Sequence, residues 1–238
     1  MRTAYTVFRN LYNVRKMTMK LVLASGSQRR RELLTMCGYD YEIIVSNADE
    51  TIDENDPESF VCALSFRKAK EVFDRLFAAG RRDFAVIGSD TVVAFQKEGE
   101  TKPVIIGKPK DAEDAVRILS MLSGKTHRVF TGVSVIADIP DENAAAQCSI
   151  REKAEIQTEC SITEVTFETL SPDEIADYVN SGDPLDKAGS YGIQGPFGMF
   201  VREIRGNYFT VIGMPIPVLY KMLKKIGILP HGFYERIE

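Results

Sequence analysis

Histidine is almost missing from this chain: only His127 and His231 are present. That excludes a multi-histidine metal centre and leaves acid–base chemistry to other groups. Cysteine is sparse as well. Cys37, Cys62, Cys148 and Cys160 form no CxxC pair, which argues against zinc. Each lies in or near an apolar run, so four reduced, mostly buried thiols in a reducing compartment are expected. No apolar run approaches the roughly 18 residues of a membrane span, and no membrane partner is expected. A strong charge of either sign is also lacking. The net charge of −4 argues against a stable nucleic-acid partner, while leaving room for a local basic pocket. With histidine scarce, any catalytic metal would be a hard ion on oxygen ligands, Mg²⁺ or Mn²⁺.

What is present is an ordinary globular composition, 44% hydrophobic and 27% charged over 238 residues, enough to bury a sizeable core. No repeat, low-complexity stretch or linker divides it. The expected organisation is one domain over 19–230, an extension over 1–18 and a tail over 231–238. The extension and its junction carry Arg2, Arg9, Arg15, Lys16 and Lys20 and no acid. Such a leader can direct mitochondrial import. A short cytosolic extension is the favoured reading, and a cytoplasmic location the expectation.

The chain is organised around residues 21–34. Leu21–Ala24 read as a covered strand, Ser25-Gly26-Ser27 as a turn without bulk, and Ser27 as the N-cap of a helix. Arg29, Arg30 and Arg31 then fill the first helical turn, where the helix dipole disfavours cations. Exposed N–H groups plus arginine forks suit a phosphate; a solvated basic turn is the competing reading.

The spacing predicts a strand over 39–45 and a helix from Pro57 to Phe77. That helix would bury Val61, Leu64, Ala69, Val72, Phe73 and Leu76 on one face. Lys68 lies at the border of this face, where a lysine ordinarily snorkels. Phe84–Ile87 and Val92–Phe95 read as two apolar strands separated by Gly88-Ser89-Asp90-Thr91. Asp90 is then a turn residue or a carboxylate at a strand end, the turn being favoured. Val104–Ile106 can return antiparallel, and Asp111 caps a helix ending near Ser123-Gly124. Strands follow over 129–135 and 154–167. Ser171-Pro172-Asp173-Glu174 opens another helix. Three glycines within Gly189–Gly195 suit a loop that brings backbone close to a ligand. Phe200–Ile204 and Tyr208–Ile212 read as a hairpin, and Pro215 opens the last helix.

Six segments in this order resemble the Maf family: LASGSQRRRELL at 23–34, Asp49-Glu50, GSDT at 88–91, GKPKDAEDA at 107–115, LSGKTHRVFTGV at 122–133, and GDPLDKAGSYGIQG at 182–195. The resemblance covers about residues 19–227. It implies a nucleoside triphosphate pyrophosphatase, in a family first named for an effect on septum formation. It also implies an α/β fold shared with the inosine triphosphate pyrophosphatases, a bent mixed sheet with flanking helices and two lobes around a deep cleft. By the same resemblance Ser27, Arg29, Arg30, Lys68 and Lys108 contact the triphosphate. Glu50 and Asp90 form an acidic pair that holds the metal, with Asp90 the base for the attacking water. Lys187 and Gln194 help form the substrate site. Family precedent leans towards a homodimer. Gln28 stands where the family commonly has proline, and the insert near 140–155 and the leader lie outside its pattern.

Within the family, the branch with Asp-Thr at the catalytic position acts on dTTP and UTP, and the branch with Asp-Gln prefers 7-methyl-GTP. Asp90-Thr91 matches the first. Threonine has a single oxygen and cannot offer a purine edge the paired donor and acceptor of an amide. The alternatives are a 7-methyl-GTP pyrophosphatase, or a non-enzymatic regulator of cell division that binds nucleotide or nucleic acid.

Overall fold

The structure, a computed structural model, describes residues 19–97, 99–139 and 154–231. The predicted leader, most of the insert and all of the tail except His231 lie outside these residues, as does Cys148.

The chain runs β1 (Lys20–Leu23), α1 (Gln28–Met36), β2 (Tyr41–Ile43), α2 (Pro57–Ala78), β3 (Phe84–Phe95), β4 (Val104–Ile106), α3 (Ala112–Leu122) and β5 (Thr126–Asp138). It continues with β6 (Ala154–Phe167), α4 (Pro172–Asn180), three 3₁₀ turns (Asp183–Asp186, Ala188–Ser190 and Pro196–Phe200), β7 (Val201–Arg205), α5 (Tyr208–Ile212) and α6 (Ile216–Lys225). The strands make one seven-stranded mixed sheet in the order β2-β1-β3-β5-β6-β7, with β4 added to β3. β1 is parallel to β2 and β3; the other pairings are antiparallel.

β3 is the axis of the molecule. It is a single strand of 12 residues, not the two runs read from the sequence. Its side chains alternate without a break. Phe84, Val86, Val92 and Ala94 face α2, and Ala85, Ile87, Val93 and Phe95 face the opposite side. Asp90 falls in phase with the first set, so the strand has no need to turn there. The sequence hid this because a polar tetrapeptide in mid-strand looks like punctuation, whereas here it is the floor of a site.

One edge of β3 pairs continuously with β5 from Ala85 to Ala94. The other edge forks. β1 pairs only as far as Ile87, and β4 only from Val93 onward. Among the described residues no strand fills the slot between them. β1 is parallel to β3 and β4 antiparallel, so both strands end at this slot, and the loops that follow them open into it.

α2 covers one face of the fork. Asp56 caps it by accepting from the Ser59 N–H at 2.9 Å, and Pro57 opens it. Two glycines let it lie directly on the sheet. A Cβ at Gly88 would stand 2.1 Å from the Ser65 carbonyl oxygen, and one at Gly132 would stand 2.3 Å from that of Val61. The opposite face has two apolar clusters at its ends. One gathers α1 and α6 around Leu23, Ile87 and Val135, and the other gathers α3 and α4 around Val93, Phe167 and Phe197. Fully burying such side chains stabilises by about 1.5–3 kcal/mol each. The middle of that face is polar, carrying Ser89, Thr91 and Thr131.

Three further expectations need correction. The strand expected over 39–45 keeps only Tyr41–Ile43. Tyr208–Ile212 is a short helix, not a hairpin strand: β7 pairs back with β6, and Asn207 caps the helix by accepting from the Phe209 N–H at 2.8 Å. Cys37, Cys62 and Cys160 are free but only partly buried. No helix among the described residues is long and apolar enough to cross a membrane.

Candidate active site

The slot in β3 opens into a cleft of about 1660 Å³. Every residue singled out from the sequence lines it: Ser27, Arg29, Arg30, Glu50, Lys68, Asp90, Thr91, Lys108, Lys187 and Gln194. Ser27, Arg29 and Arg30 arrive at the end of β1, Lys108 just past the end of β4, and Asp90 from β3 between them.

Lys68 is the first centre of charge. Its ammonium donates to Asp90 Oδ1 at 2.8 Å and lies 3.0 Å from Glu50 Oε1. The Lys68 and Asp90 side chains are only 12% and 13% exposed, so this lysine does not snorkel to solvent. The close seat of α2 at Gly88 brings it down to the strand. Its neighbour Arg67 donates to the carbonyls of Asp49 and Thr51, both at 2.8 Å, and so pins the loop carrying Glu50 onto α2.

Arg30 is the second. Its guanidinium donates to the Gly213 carbonyl at 2.8 Å, to Ser25 Oγ at 3.1 Å and to Thr91 Oγ1 at 3.4 Å. Desolvation lowers its pKa, the Asp90 charge opposes this, and arginine keeps its proton regardless. Thr91 lines the cleft, and its hydroxyl accepts from Arg30 and lies 3.0 Å from Thr131 Oγ1, with Thr131 donating onward to the Thr210 carbonyl at 2.7 Å. Ser27 occupies the N-cap position of α1 but makes no side-chain cap bond. Its N–H goes to Ser25 Oγ at 3.2 Å.

The third centre joins the two walls. Lys187 donates to Asp186 Oδ1 at 2.7 Å, to Asp183 Oδ1 at 3.0 Å and to the Asp183 carbonyl at 2.6 Å. Arg29 of α1 lies 3.5 Å from Asp186 Oδ2. Desolvation pushes the Asp186 pKa up, but the Lys187 hydrogen bond and the Lys187 and Arg29 charges outweigh it, and the net shift is downward. Lys108 and Gln194 are exposed to the cleft and make no side-chain hydrogen bond or ion pair among the described residues.

Sequence reasoning missed Ser25, Thr131, Asp183, Asp186 and the Gly213 carbonyl. Asp183 stood four residues before Lys187, a spacing at which a carboxylate reaches a lysine on a helix, whereas Asp186, its immediate neighbour, carried no such signal. Nothing local marked Gly213 or Thr131, which meet the site only through the fold. Beneath the Lys187 loop, His127 Nε2 lies 3.0 Å from the Tyr191 hydroxyl, and burial pushes the His127 pKa down to about 3.

The family described as Maf-like protein matches residues 20–226. The chain belongs to the Maf family. It is 41% identical over 217 residues to a dTTP/UTP pyrophosphatase of Agathobacter rectalis, covering 88% of this chain and 98% of that protein. It is 42% identical over 210 residues to a dTTP/UTP pyrophosphatase of Bacillus thuringiensis subsp. konkukian, covering 88% and 96%. One from Lachnoclostridium phytofermentans is 40% identical over 209 residues with the same two coverages. Among solved structures, the Staphylococcus aureus Ham1 protein aligns over 87% of this chain and 99% of its own at 15% identity, with a TM-score of 0.44. The match to the Maf family spans all six segments quoted above.

Two carboxylates converge on the cleft from different elements, and both are oxygen donors. Among the described residues no group of three or more His, Cys, Asp or Glu side chains could hold an ion by itself. Glu50 and Asp90 are hard oxygen donors of the kind that Mg²⁺ sites with one or two carboxylates use, and the Lys68 ammonium reaches both, at 3.0 and 2.8 Å.

Proposed function

We propose that this Maf chain hydrolyses dTTP, UTP and related nucleoside triphosphates to the monophosphate and pyrophosphate. The observation that carries the reading is the meeting, in one cleft, of a buried Lys68–Asp90 pair with the cations Arg29, Arg30, Lys108 and Lys187. The printed names of the relatives support the substrate class.

The cations neutralise the polyphosphate, and Arg30, already fixed by three acceptors, binds it without reordering. Lys68 holds Asp90 by Oδ1. Asp90 Oδ2, with no hydrogen-bond partner among the described residues, orients water and takes its proton. The water oxygen bonds to the α-phosphorus, the bond from that phosphorus to the bridging oxygen breaks, and pyrophosphate leaves. A divalent ion, Mg²⁺ or Mn²⁺, held by Glu50 and Asp90 would supply charge neutralisation on the phosphate oxygens. The preference for pyrimidines over 7-methyl-GTP rests on Asp90-Thr91 and on the relatives.

Incubation with dTTP, UTP, 7-methyl-GTP, ATP and GTP in Mg²⁺ or Mn²⁺, with products separated by anion exchange, tests the reading. Monophosphate and pyrophosphate from dTTP and UTP are expected. A diphosphate plus orthophosphate, or no turnover of any nucleotide, would overturn it.

A further inference from the structure

Asp186 is the accessible member of the ion cluster that joins the walls of the cleft. Its carboxylate is 69% exposed, against 29% for Arg29 and 13% for Lys187. It holds one cation from each wall, Arg29 at the start of α1 and Lys187 in the loop after α4. Lys187 does not depend on it, because Asp183 grips the same ammonium through both its carbonyl and its carboxylate. Asp183 is fixed in turn by the Tyr178 hydroxyl, which donates to its Oδ2 at 2.5 Å. Arg29 makes no other ion pair among the described residues. Asp186 therefore adds little to the placement of Lys187, yet it places a carboxylate on two cations that face the cleft.

We propose that Asp186 is an internal competitor for the anion site, a carboxylate that occupies Arg29 and Lys187 until a polyphosphate displaces it. A chain-borne anion sits at high effective concentration, so a weak ligand fails to dislodge it and a highly charged one succeeds. The device selects for phosphate-chain length. It disfavours retention of a monophosphate and weakens the grip on released pyrophosphate. The inference deepens the pyrophosphatase reading and rests on it only for the identity of the anion.

The test is calorimetric titration of inorganic pyrophosphate into the full chain, in a chelating buffer at low ionic strength. The wild type is compared with Asp186→Asn and Asp183→Asn, and folding of each is checked by thermal melting. Asp186→Asn should bind pyrophosphate at least about threefold more tightly, the scale of a released exposed ion pair. The gain should shrink as salt is raised, because the competing pair is itself screened. Asp183→Asn should bind more weakly, because Lys187 loses its anchor. Unchanged or weaker binding by Asp186→Asn would overturn the proposal. An equal gain in both variants would overturn it too, since any lost negative charge would then suffice. If Asp186→Asn does not fold, Asp186→Ser replaces it under the same criteria. Pyrophosphate binding requires no turnover, so this result stands apart from the nucleotide hydrolysis assay.

Discussion

Lys68 donates to Asp90 across 2.8 Å from a helix that lies directly on the sheet because residues 88 and 132 have no side chains. The pair fixes one oxygen of the carboxylate and leaves the other for water. Asp90→Asn should cut kcat by about 10²–10⁴-fold while nucleotide binding stays measurable, because the cations that hold phosphate are elsewhere. Turnover within a few-fold of wild type would take Asp90 out of the mechanism. Glu50→Gln should instead move the metal titration to higher concentration, since a neutral amide is a weaker ligand for a hard ion.

Gly88→Ala tests the seat of α2. The added methyl would lie 2.1 Å from the Ser65 carbonyl and 2.7 Å from the Ala69 N–H, both backbone atoms of one helix. Relief requires the helix to lift. A loss of about 1–3 kcal/mol is expected, and kcat should fall with it as Lys68 moves away from Asp90. A melting curve and an activity assay on the same preparation check both; a variant as stable as wild type would show that the helix yields freely.

Thr91 acts on Arg30, so its variants should report phosphate binding as well as base choice. Thr91→Val removes an acceptor from Arg30 and breaks the chain to Thr131. The expected result is a rise in KM of a few-fold to about tenfold for every nucleotide, on the scale of one ordinary hydrogen bond, because the Arg30–Thr91 contact is long at 3.4 Å. In the wild type, kcat/KM for dTTP and UTP should exceed that for 7-methyl-GTP by at least about tenfold. Comparable values would remove the pyrimidine preference and leave the hydrolytic chemistry standing.

His127 gives the fold an acid sensitivity of known sign. Burial holds its pKa at about 3, so the folded chain keeps it neutral, whereas the unfolded chain binds a proton below about pH 6.5. The unfolded state binds more protons throughout that interval, so stability falls as pH drops through it and is constant above it. Between about pH 7 and 5, where carboxylates remain ionised, the melting temperature should fall less steeply in His127→Gln than in the wild type. Parallel curves would assign the acid loss to other groups.

Much of the candidate site was legible in the sequence, because several of its residues sit in segments with a local signature, while Lys68 and Asp90 were marked only by the family resemblance. The arginines break the dipole rule at a helix start, Lys108 follows a strand end, and Lys187 sits among turn-forming glycines. Two of the wrong inferences, at Asp90 and at 208–212, share one cause. Polar residues in mid-strand, such as Asp90, and β-prone residues in a short helix, such as those of 208–212, obey tertiary partners and not their neighbours in sequence. Thr210 is helical and fully buried because its carbonyl serves Thr131 and its hydroxyl meets Ser161 at 2.7 Å. Both partners lie far away in the chain.

The fork in β3 separates what is stiff from what can be altered. Asp90 is on a strand paired with β5 from Ala85 to Ala94, whereas Arg29 and Arg30 stand at the start of α1 and Lys108 and Lys187 on loops and turns at the rim of the slot. Lengthening or rewriting those loops would change which anion the cleft admits while the attacking water stayed where it was. A scaffold of this kind can diversify its choice of nucleotide by changes at its rim, without rebuilding the chemistry at its floor.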